Sequence, residues 1–482
     1  MQKISPFIHK LLKKITGCFF YFIFNPVFIF YPKHCCMNKI RIFCFITCIF
    51  LSEAAISQTM WKYFTADDFA ARRNKVMAQI GDGILVLQAA ELPEAYVKFR
   101  QDNNFYYLTG VEIPDAVLII NGKSKESILL VPDKIPNDIK TEAFIKPGKE
   151  AADEYKFSKV LSKSVMTNWL HFLSETGQPF YLQQSPQETT EMSRDRCMMT
   201  RASRINNPWD GRVSKELTFY NKIKERFPAT IVKDITPILD AMRWVKDKKE
   251  IAVLRECGRI GCLGINEAIK VTRPGIYEYQ TVAACDFIYG DMGTAGPAYY
   301  AIAASGERGL IWHYNANNHL LEAGTVLLID YAPEVNYYVT DITRTWPVQG
   351  EFSSEQLKFY NCVKEARDAI IKAMKPGITL KDMEKIGEEV YKRNGLEKYW
   401  LGYVGHFVGM AVHDVGSYET PFVEGVVFNV EPILEDKEKK IHIRLEDTIV
   451  ITATGAENLT PQSPVEPADI YKLIKEKGVG EK

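Results

Sequence analysis

Neither sign of charge is in excess in this chain of 482 residues: Lys and Arg together number 60, and so do Asp and Glu. A formal net charge of zero gives no support to a nucleic acid or other polyanion as a partner. The chain also lacks any CxxC pair. Five of its ten cysteines (Cys18, Cys35, Cys36, Cys44, Cys48) fall in the first fifty residues, and Cys197, Cys257, Cys262, Cys285 and Cys362 are scattered. That is neither a disulfide framework nor a zinc ribbon, and buried free thiols are the expectation. What remains, 46% hydrophobic and 25% charged residues, is ordinary for a globular chain of two domains or a few more.

Strongly apolar character is confined to Met1 to Leu51. Within it, Met37-Asn38-Lys39-Ile40-Arg41 gives a short basic start, Ile42 to Leu51 an apolar core, and Ala55-Ile56-Ser57 small residues for cleavage. This is the layout of a secretory signal peptide over 37–57, and the core is too short to span a bilayer as a helix. No cysteine stands at the cleavage position, which argues against a lipoprotein. The reading is translation from Met37, export to the bacterial periplasm or medium, and a mature chain starting near Gln58. The alternative is a membrane anchor formed by the apolar region 1–57.

After that region the pattern alternates. Thr65 with Asp67 and Asp68 opens a helix running through Arg73. Gly83–Leu87, Phe105–Gly110, Ala116–Ile120 and Ser127–Pro132 read as buried strands, which makes 58–234 an α/β domain. Gln183 to Ser214, with Arg194, Arg196, Arg201, Arg204 and Arg212, reads as a polar loop or insertion with a solvated charged face. A second domain, 235–470, starts near Ile235-Thr236-Pro237. Asp247 to Glu250 leads a helix whose inner stripe includes Gly258 and Gly261, implying close packing. Ser353 to Gln356 is a capping box, and Thr379 to Asp382 starts another helix. Pro274-Gly275 and Pro376-Gly377 each follow a long helix, hinting at two similar halves.

Two aspartates, Asp330 and Asp341, lie eleven residues apart in apolar, β-branched runs, with Pro333-Glu334-Val335-Asn336 between them. That reads as strand, reversal and returning strand. Aspartate is unfavourable on a buried strand unless something holds its charge. Further on come His313, His406 and His413, then Glu431 after Val426-Val427-Phe428, then Arg444 and Glu446 before Thr448–Ile451. Arg444 and Glu446 alternate in phase, so they point to one face of a strand. Asp330, Asp341, His406, Glu431 and Glu446 together suit a pair of hard or borderline divalent cations. Four carboxylates in one cleft would repel one another without them. A single structural zinc would favour Cys and His.

The order Asp, Asp, His, Glu, Arg-x-Glu resembles the pita-bread metallopeptidases. Phe99-Arg100-Gln101-Asp102-Asn103-Asn104-Phe105-Tyr106-Tyr107-Leu108-Thr109-Gly110 and Asp341-Ile342-Thr343-Arg344-Thr345 look like stretches of aminopeptidase P, and the resemblance runs from about Phe64 to Thr454. It implies an α/β N-terminal domain followed by an α+β pita-bread catalytic domain. It further implies a metal set in which Asp330 binds one cation, His406 and Glu431 the other, and Asp341 and Glu446 bridge. Glu431 would also relay the proton. His313 and His413 would face the substrate, Arg444 would orient and neutralise the carboxylates, Thr343 would donate a supporting hydrogen bond, and Tyr299 would line the pocket. Two manganese ions are implied; the ligand set also admits cobalt, zinc or iron.

The implied reaction is hydrolysis of the bond between an N-terminal residue and a following proline, in a homo-oligomer. The alternatives are a prolidase acting on Xaa-Pro dipeptides and, more remotely, a metal-free pita-bread binding protein. A methionine aminopeptidase would not need the large N-terminal domain. Gly402 stands where many relatives have a histidine, Tyr331 follows Asp330 where they keep little bulk, and Pro432-Ile433 replaces a usual Pro-Gly. These departures bear on substrate size and specificity.

Overall fold

The computed structural model describes residues 62–94, 96–134 and 145–480; the signal-peptide reading lies outside the described residues. The chain opens with α1 (Ala66–Ile80), whose N-cap Thr65 gives its N–H and hydroxyl to Asp68. Then come β1 (Ile84–Gln88), α2 (Asn103–Thr109), β2 (Val117–Asn121), β3 (Glu126–Val131), α3 (Lys149–Glu154), β4 (Lys159–Ser162), α4 (Met166–Ser174), β5 (Phe180–Leu182), α5 (Arg194–Asn206), α6 (Lys215–Arg226) and β6 (Val232–Asp234). The six strands form one sheet in the order β4-β3-β2-β1-β5-β6. Pairs β1–β2 and β2–β3 are antiparallel, and the outer pairings are parallel.

Two expectations fail here. Phe105–Gly110 is helix, not strand: α2 is buried on every side, so its aromatic run carries no period that could separate helix from strand. Gly110 ends it in the left-handed region at φ 63°, and Thr109 Oγ1 donates to the Phe105 carbonyl at 2.7 Å. Gln183–Ser214 is not simply a loop, because it contains the thirteen-residue helix α5.

From residue 236 the elements are α7 (Thr236–Trp244), α8 (Lys248–Val271), α9 (Glu278–Asp291), β7 (Gly296–Pro297), β8 (Ile302–Ser305), β9 (Val326–Asp330), β10 (Pro333–Val335), β11 (Tyr338–Val339) and β12 (Thr343–Pro347). They continue with α10 (Ser354–Ala373), α11 (Leu380–Arg393), β13 (Gly405–Phe407), β14 (Val427–Val430), β15 (Ile433–Asp436), β16 (Ile441–Arg444), β17 (Asp447–Ile451), β18 (Ala456–Asn458) and α12 (Pro467–Leu473). The capping boxes at Asp247, Ser353 and Thr379 start α8, α10 and α11. Gly258 earns its place in α8: a Cβ there would lie 2.2 Å from the Leu459 carbonyl oxygen.

The hint of two halves has a structural counterpart. Each of α8 and α10 is followed by a glycine with positive φ, 86° at Gly275 and 94° at Gly377. Each glycine gives its N–H to a distant carbonyl, Leu321 and Phe422, before the next helix packs back on the first. The small sheets β12-β9-β8 and β13-β14-β17-β18 lie beside these helix pairs in the sequence and carry the acidic residues. One apolar core runs from Phe69 and Leu118 to Ile265, Ile329 and Leu445.

Candidate metal centre and substrate cavity

Asp330 is the last residue of β9, which pairs antiparallel with β12 so that Asp330 faces Thr343. The reversal between the aspartates is tighter than the sequence suggests: Pro333–Val335 is strand β10, and the turn falls on Asn336 and Tyr337, both with positive φ. Asp341 precedes β12, and its N–H is held by Thr448 Oγ1 at 2.9 Å. One hydroxyl ties the pair together, since Tyr299 donates to Asp330 at 2.7 Å and stands within hydrogen-bond reach of Asp341.

His406 lies on β13 against β14, preceded by Gly405. Gly405 has φ 139°, and a Cβ on it would lie 1.7 Å from the Asn429 carbonyl oxygen, so this close approach requires glycine. The His406 Nδ1 stands 3.2 Å from the Phe407 carbonyl oxygen. A proton there leaves the Nε2 lone pair aimed at Asp341 (3.3 Å), Glu431 (3.8 Å) and Glu446 (3.9 Å).

Glu431 follows β14 directly. It accepts from the Tyr403 hydroxyl at 2.9 Å and from Arg444 at 3.4 Å. The other arm of Arg444 reaches Asp330 at 2.7 Å. Glu446 accepts from the Thr343 hydroxyl and the Asn429 amide. Arg444 and Glu446 do not share one strand, as their alternation suggests. Arg444 ends β16, which pairs with β15, while Glu446 bridges to Thr343 just before β17 enters another sheet. The chain crosses between sheets at Leu445, and both side chains still reach the same cavity.

All five acidic and imidazole groups are buried. Ligand atoms of Asp341, His406 and Glu446 lie within 4.8 Å of one another. Burial, with the charges of Asp341 and Glu446, holds the Asp330 carboxyl well above its ordinary range. Burial and then Glu446 push Glu431 up to about 8. His406 is held well above the ordinary imidazole range: burial opposes its charge, but bonds to Asp341 and Glu446 outweigh it. Four carboxylates thus share one guanidinium and one imidazole, and the protein alone does not balance them. The donor set and the Nε2 geometry of His406 fit divalent cations.

The site opens into a cavity of about 1360 Å³. His313, Tyr299, Tyr403 and His413 line it beside the acidic cluster. The rings of His413 and His406 are 4.1 Å apart. Burial and the neighbouring His406 push His413 down to about 3, so it is a neutral imidazole. His313 is lowered by burial and then by Arg444 and Arg196. Its neighbour Trp312 is pinned by Glu435 at 3.1 Å and packs on the Tyr403 ring at 5.8 Å. Tyr331 is not on the cavity wall: its hydroxyl is drawn to Asp286 at 2.7 Å, toward α9. Its bulk beside Asp330 therefore does not narrow the site.

Sequence reasoning did not identify Tyr403 or Asn429. Asn429 had a usable signal, since it alternates with Glu431 along β14. It also did not place α5, whose residues line the same cavity.

The fold and this acidic, imidazole-bearing cleft define the class as a metal-dependent peptidase of pita-bread architecture. The pattern of metallopeptidase family M24 matches residues 252–453, and that of the aminopeptidase P N-terminal domain matches residues 69–179. The chain belongs to metallopeptidase family M24, in its aminopeptidase P branch. It is 29% identical to an Xaa-Pro aminopeptidase of Escherichia coli over 84% of this chain and 97% of that protein. It is 32% identical to an Xaa-Pro dipeptidase of Pyrococcus furiosus over 49% of this chain and 69% of that protein. A structure of a single-substitution variant of Escherichia coli aminopeptidase P in complex with substrate superposes with a TM-score of 0.69 at 26% identity, covering 85% of this chain and 98% of that chain.

Proposed function

We propose that Asp330, Asp341, His406, Glu431 and Glu446 hold a pair of divalent cations in a peptidase that releases an N-terminal residue from in front of proline. Metal-dependent cleavage of that bond is the reaction named for relatives matched along nearly their whole length, and it is the reaction of this chain. The observation that carries the assignment is the convergence of three buried carboxylates, Asp341, Glu431 and Glu446, on the Nε2 of His406, with Arg444 joining Glu431 to the fourth, Asp330.

Asp330 would serve one cation, His406 and Glu431 the other, with Asp341 and Glu446 shared. When bound, such a pair supplies Lewis acidity and lowers the pKa of water enough to furnish a nucleophile near neutral pH. Glu431 takes the proton of the attacking water and passes it to the departing proline nitrogen. Tyr403 and Arg444 keep Glu431 oriented for that transfer. Neutral His413 and His313 face the substrate and donate N–H to the carbonyl oxygen as negative charge develops there. Tyr299, Thr343 and Asn429 fix the carboxylates that would carry the cations.

Manganese is the reading for the metal on the resemblance to aminopeptidase P, while the ligand set itself also admits cobalt, zinc or iron. We further read the chain as two domains, 58–234 and 235–470, exported by a signal peptide over 37–57, and as a homo-oligomer. The prolidase reading keeps one support, the dipeptidase likeness confined to about half of the chain.

The test is to strip the mature protein with chelator, refill it with manganese, and assay Xaa-Pro dipeptides against Xaa-Pro-Xaa peptides. Hydrolysis of the longer peptides is expected. Action on dipeptides alone would give the function to a prolidase, and no metal-dependent action on either would overturn both readings.

A further inference from the structure

Part of the wall of the cavity that holds the acidic cluster belongs to α5. This helix has no buried residue, so core packing does not explain its position. It is fixed by Arg194 at its start and Arg201 near its middle instead. Arg194 is ion-paired to Glu188 and Asp240, and Arg201 donates to the Gln184 carbonyl at 3.2 Å. The backbone of Thr190, just before α5, accepts from the Val412 N–H at 2.9 Å, next to His413.

Five α5 residues line the cavity after Asp195: Arg196, Met199, Thr200, Ser203 and Arg204. Their spacing is i, i+3, i+4, i+7, i+8, a single helix face. This face is therefore turned to the cavity, and apart from Met199 its residues are cationic or polar. Among the described residues, the guanidinium groups of Arg196 and Arg204 make no hydrogen bond or ion pair. Nearby carboxylates have other hydrogen-bond partners, Asp195 in Ser193, Glu191 in Thr189 and Asp240 in Arg194, and only the charges of Arg196 and Arg204 reach Asp195 and Asp210. The charge of Arg196 reaches His313 across the cavity.

We propose that the α5 face holds the part of a peptide substrate beyond proline, with Arg196 and Arg204 taking a carboxylate of that segment. The inference rests on the peptidase reading above. Arg196 and Arg204 are separated by about 12 Å along the helix at 1.5 Å per residue, which an extended peptide covers in roughly four residues. The cavity is larger than the roughly 300–1,000 Å³ usual for a small-ligand site, in keeping with a peptide that continues past proline. The carboxylate can be the C-terminus of a short peptide or an acidic side chain of a longer one; both present the same fork to a guanidinium.

Steady-state kinetics on the manganese-loaded enzyme separates the cases. Four peptides are compared: Ala-Pro-Ala as free acid and as amide, and Ala-Pro-Asp-amide against Ala-Pro-Asn-amide. An exposed charge pair predicts kcat/KM higher by about three- to fivefold for the anionic member of at least one pair, expressed mainly in KM. A preference for the free acid assigns the terminal carboxylate, and a preference for the Asp peptide assigns a side chain. In Arg196→Gln with Arg204→Gln the ratio falls toward one, and in Arg196→Glu it inverts. Equal rates within both pairs in the unmodified enzyme, or a ratio that survives the double substitution, overturn the proposal. Failure to cleave any of the four peptides would overturn the peptidase reading itself, and this proposal with it.

Discussion

Tyr403 donates its hydroxyl to Glu431 across 2.9 Å, so the carboxylate assigned to move the proton does not hang free in the cavity. Arg444 approaches its other oxygen at 3.4 Å. Glu431 is thereby held between a neutral donor and a cation, while Trp312 packs on the Tyr403 ring.

Removing that hydroxyl leaves the ring and the packing in place. A hydrogen bond to a charged group is worth about 1.5–3 kcal/mol, so Tyr403→Phe is expected to lower kcat by roughly ten- to a hundredfold. Elemental analysis should find the cation content unchanged. A rate within about twofold of the parent would show that Tyr403 does not orient the base.

Gly405 stands where any Cβ meets the Asn429 carbonyl oxygen, one residue before His406. Gly405→Ala forces β13 away from β14 and moves the imidazole. A loss of about 2–4 kcal/mol in urea unfolding is expected, with weaker cation binding by calorimetry. An unaltered unfolding midpoint would contradict the contact.

The stability of the cation-free protein should depend on pH with a defined sign. Glu431 is raised from an ordinary 4.5 to about 8 in the fold. Below the ordinary value both folded and unfolded states hold the proton, and the contribution is fully present. It is lost as pH rises through about 8, because the folded state clings to a proton that the unfolded chain has released. Cations need the ionised carboxylate and release that proton. The gap in Tm between cation-loaded and stripped protein should therefore widen from pH 5 to pH 8. A gap that is constant across that range would contradict the assigned electrostatics.

Arg243 is buried between Glu188, Asp414 and the Asn104 amide oxygen, tying the segment before α5 to the His413 loop. Arg243→Met removes one of two cations from each of two buried carboxylates, leaving Glu188 with Arg194 and Asp414 with Lys246. Destabilisation of about 1.5–3 kcal/mol is expected from chemical unfolding, since charged hydrogen bonds are lost without stranding either carboxylate. A loss under about 1 kcal/mol would show that the network is dispensable.

Much of the acidic site was legible in the sequence because its ligands are chemically conspicuous. Aspartates in apolar β-branched runs and a histidine followed by two strand-flanking glutamates demand an explanation wherever they fall. The supporting groups carry no such signal. Tyr299 lies 31 residues before Asp330, and an aromatic residue is as often core as a donor, so only the folded geometry reveals its link to both aspartates. The break at Leu445 was hidden because Arg-Leu-Glu alternates correctly whether the strand continues or changes sheet. The aromatic run of α2 misled for the opposite reason: buried on all sides, it has no polar face to mark its period. The arginines of α5 look like a solvated charge run because only the fold brings one face of that helix over the cavity.

The most direct test is a titration of chelator-stripped protein with manganese, following bound ion and hydrolysis of Ala-Pro-Ala together. The account predicts two ions per chain in the parent, activity that depends on them, and an Asp341→Asn variant that loses both. A parent that binds no divalent ion, or that cleaves the peptide at full rate while stripped, would contradict it.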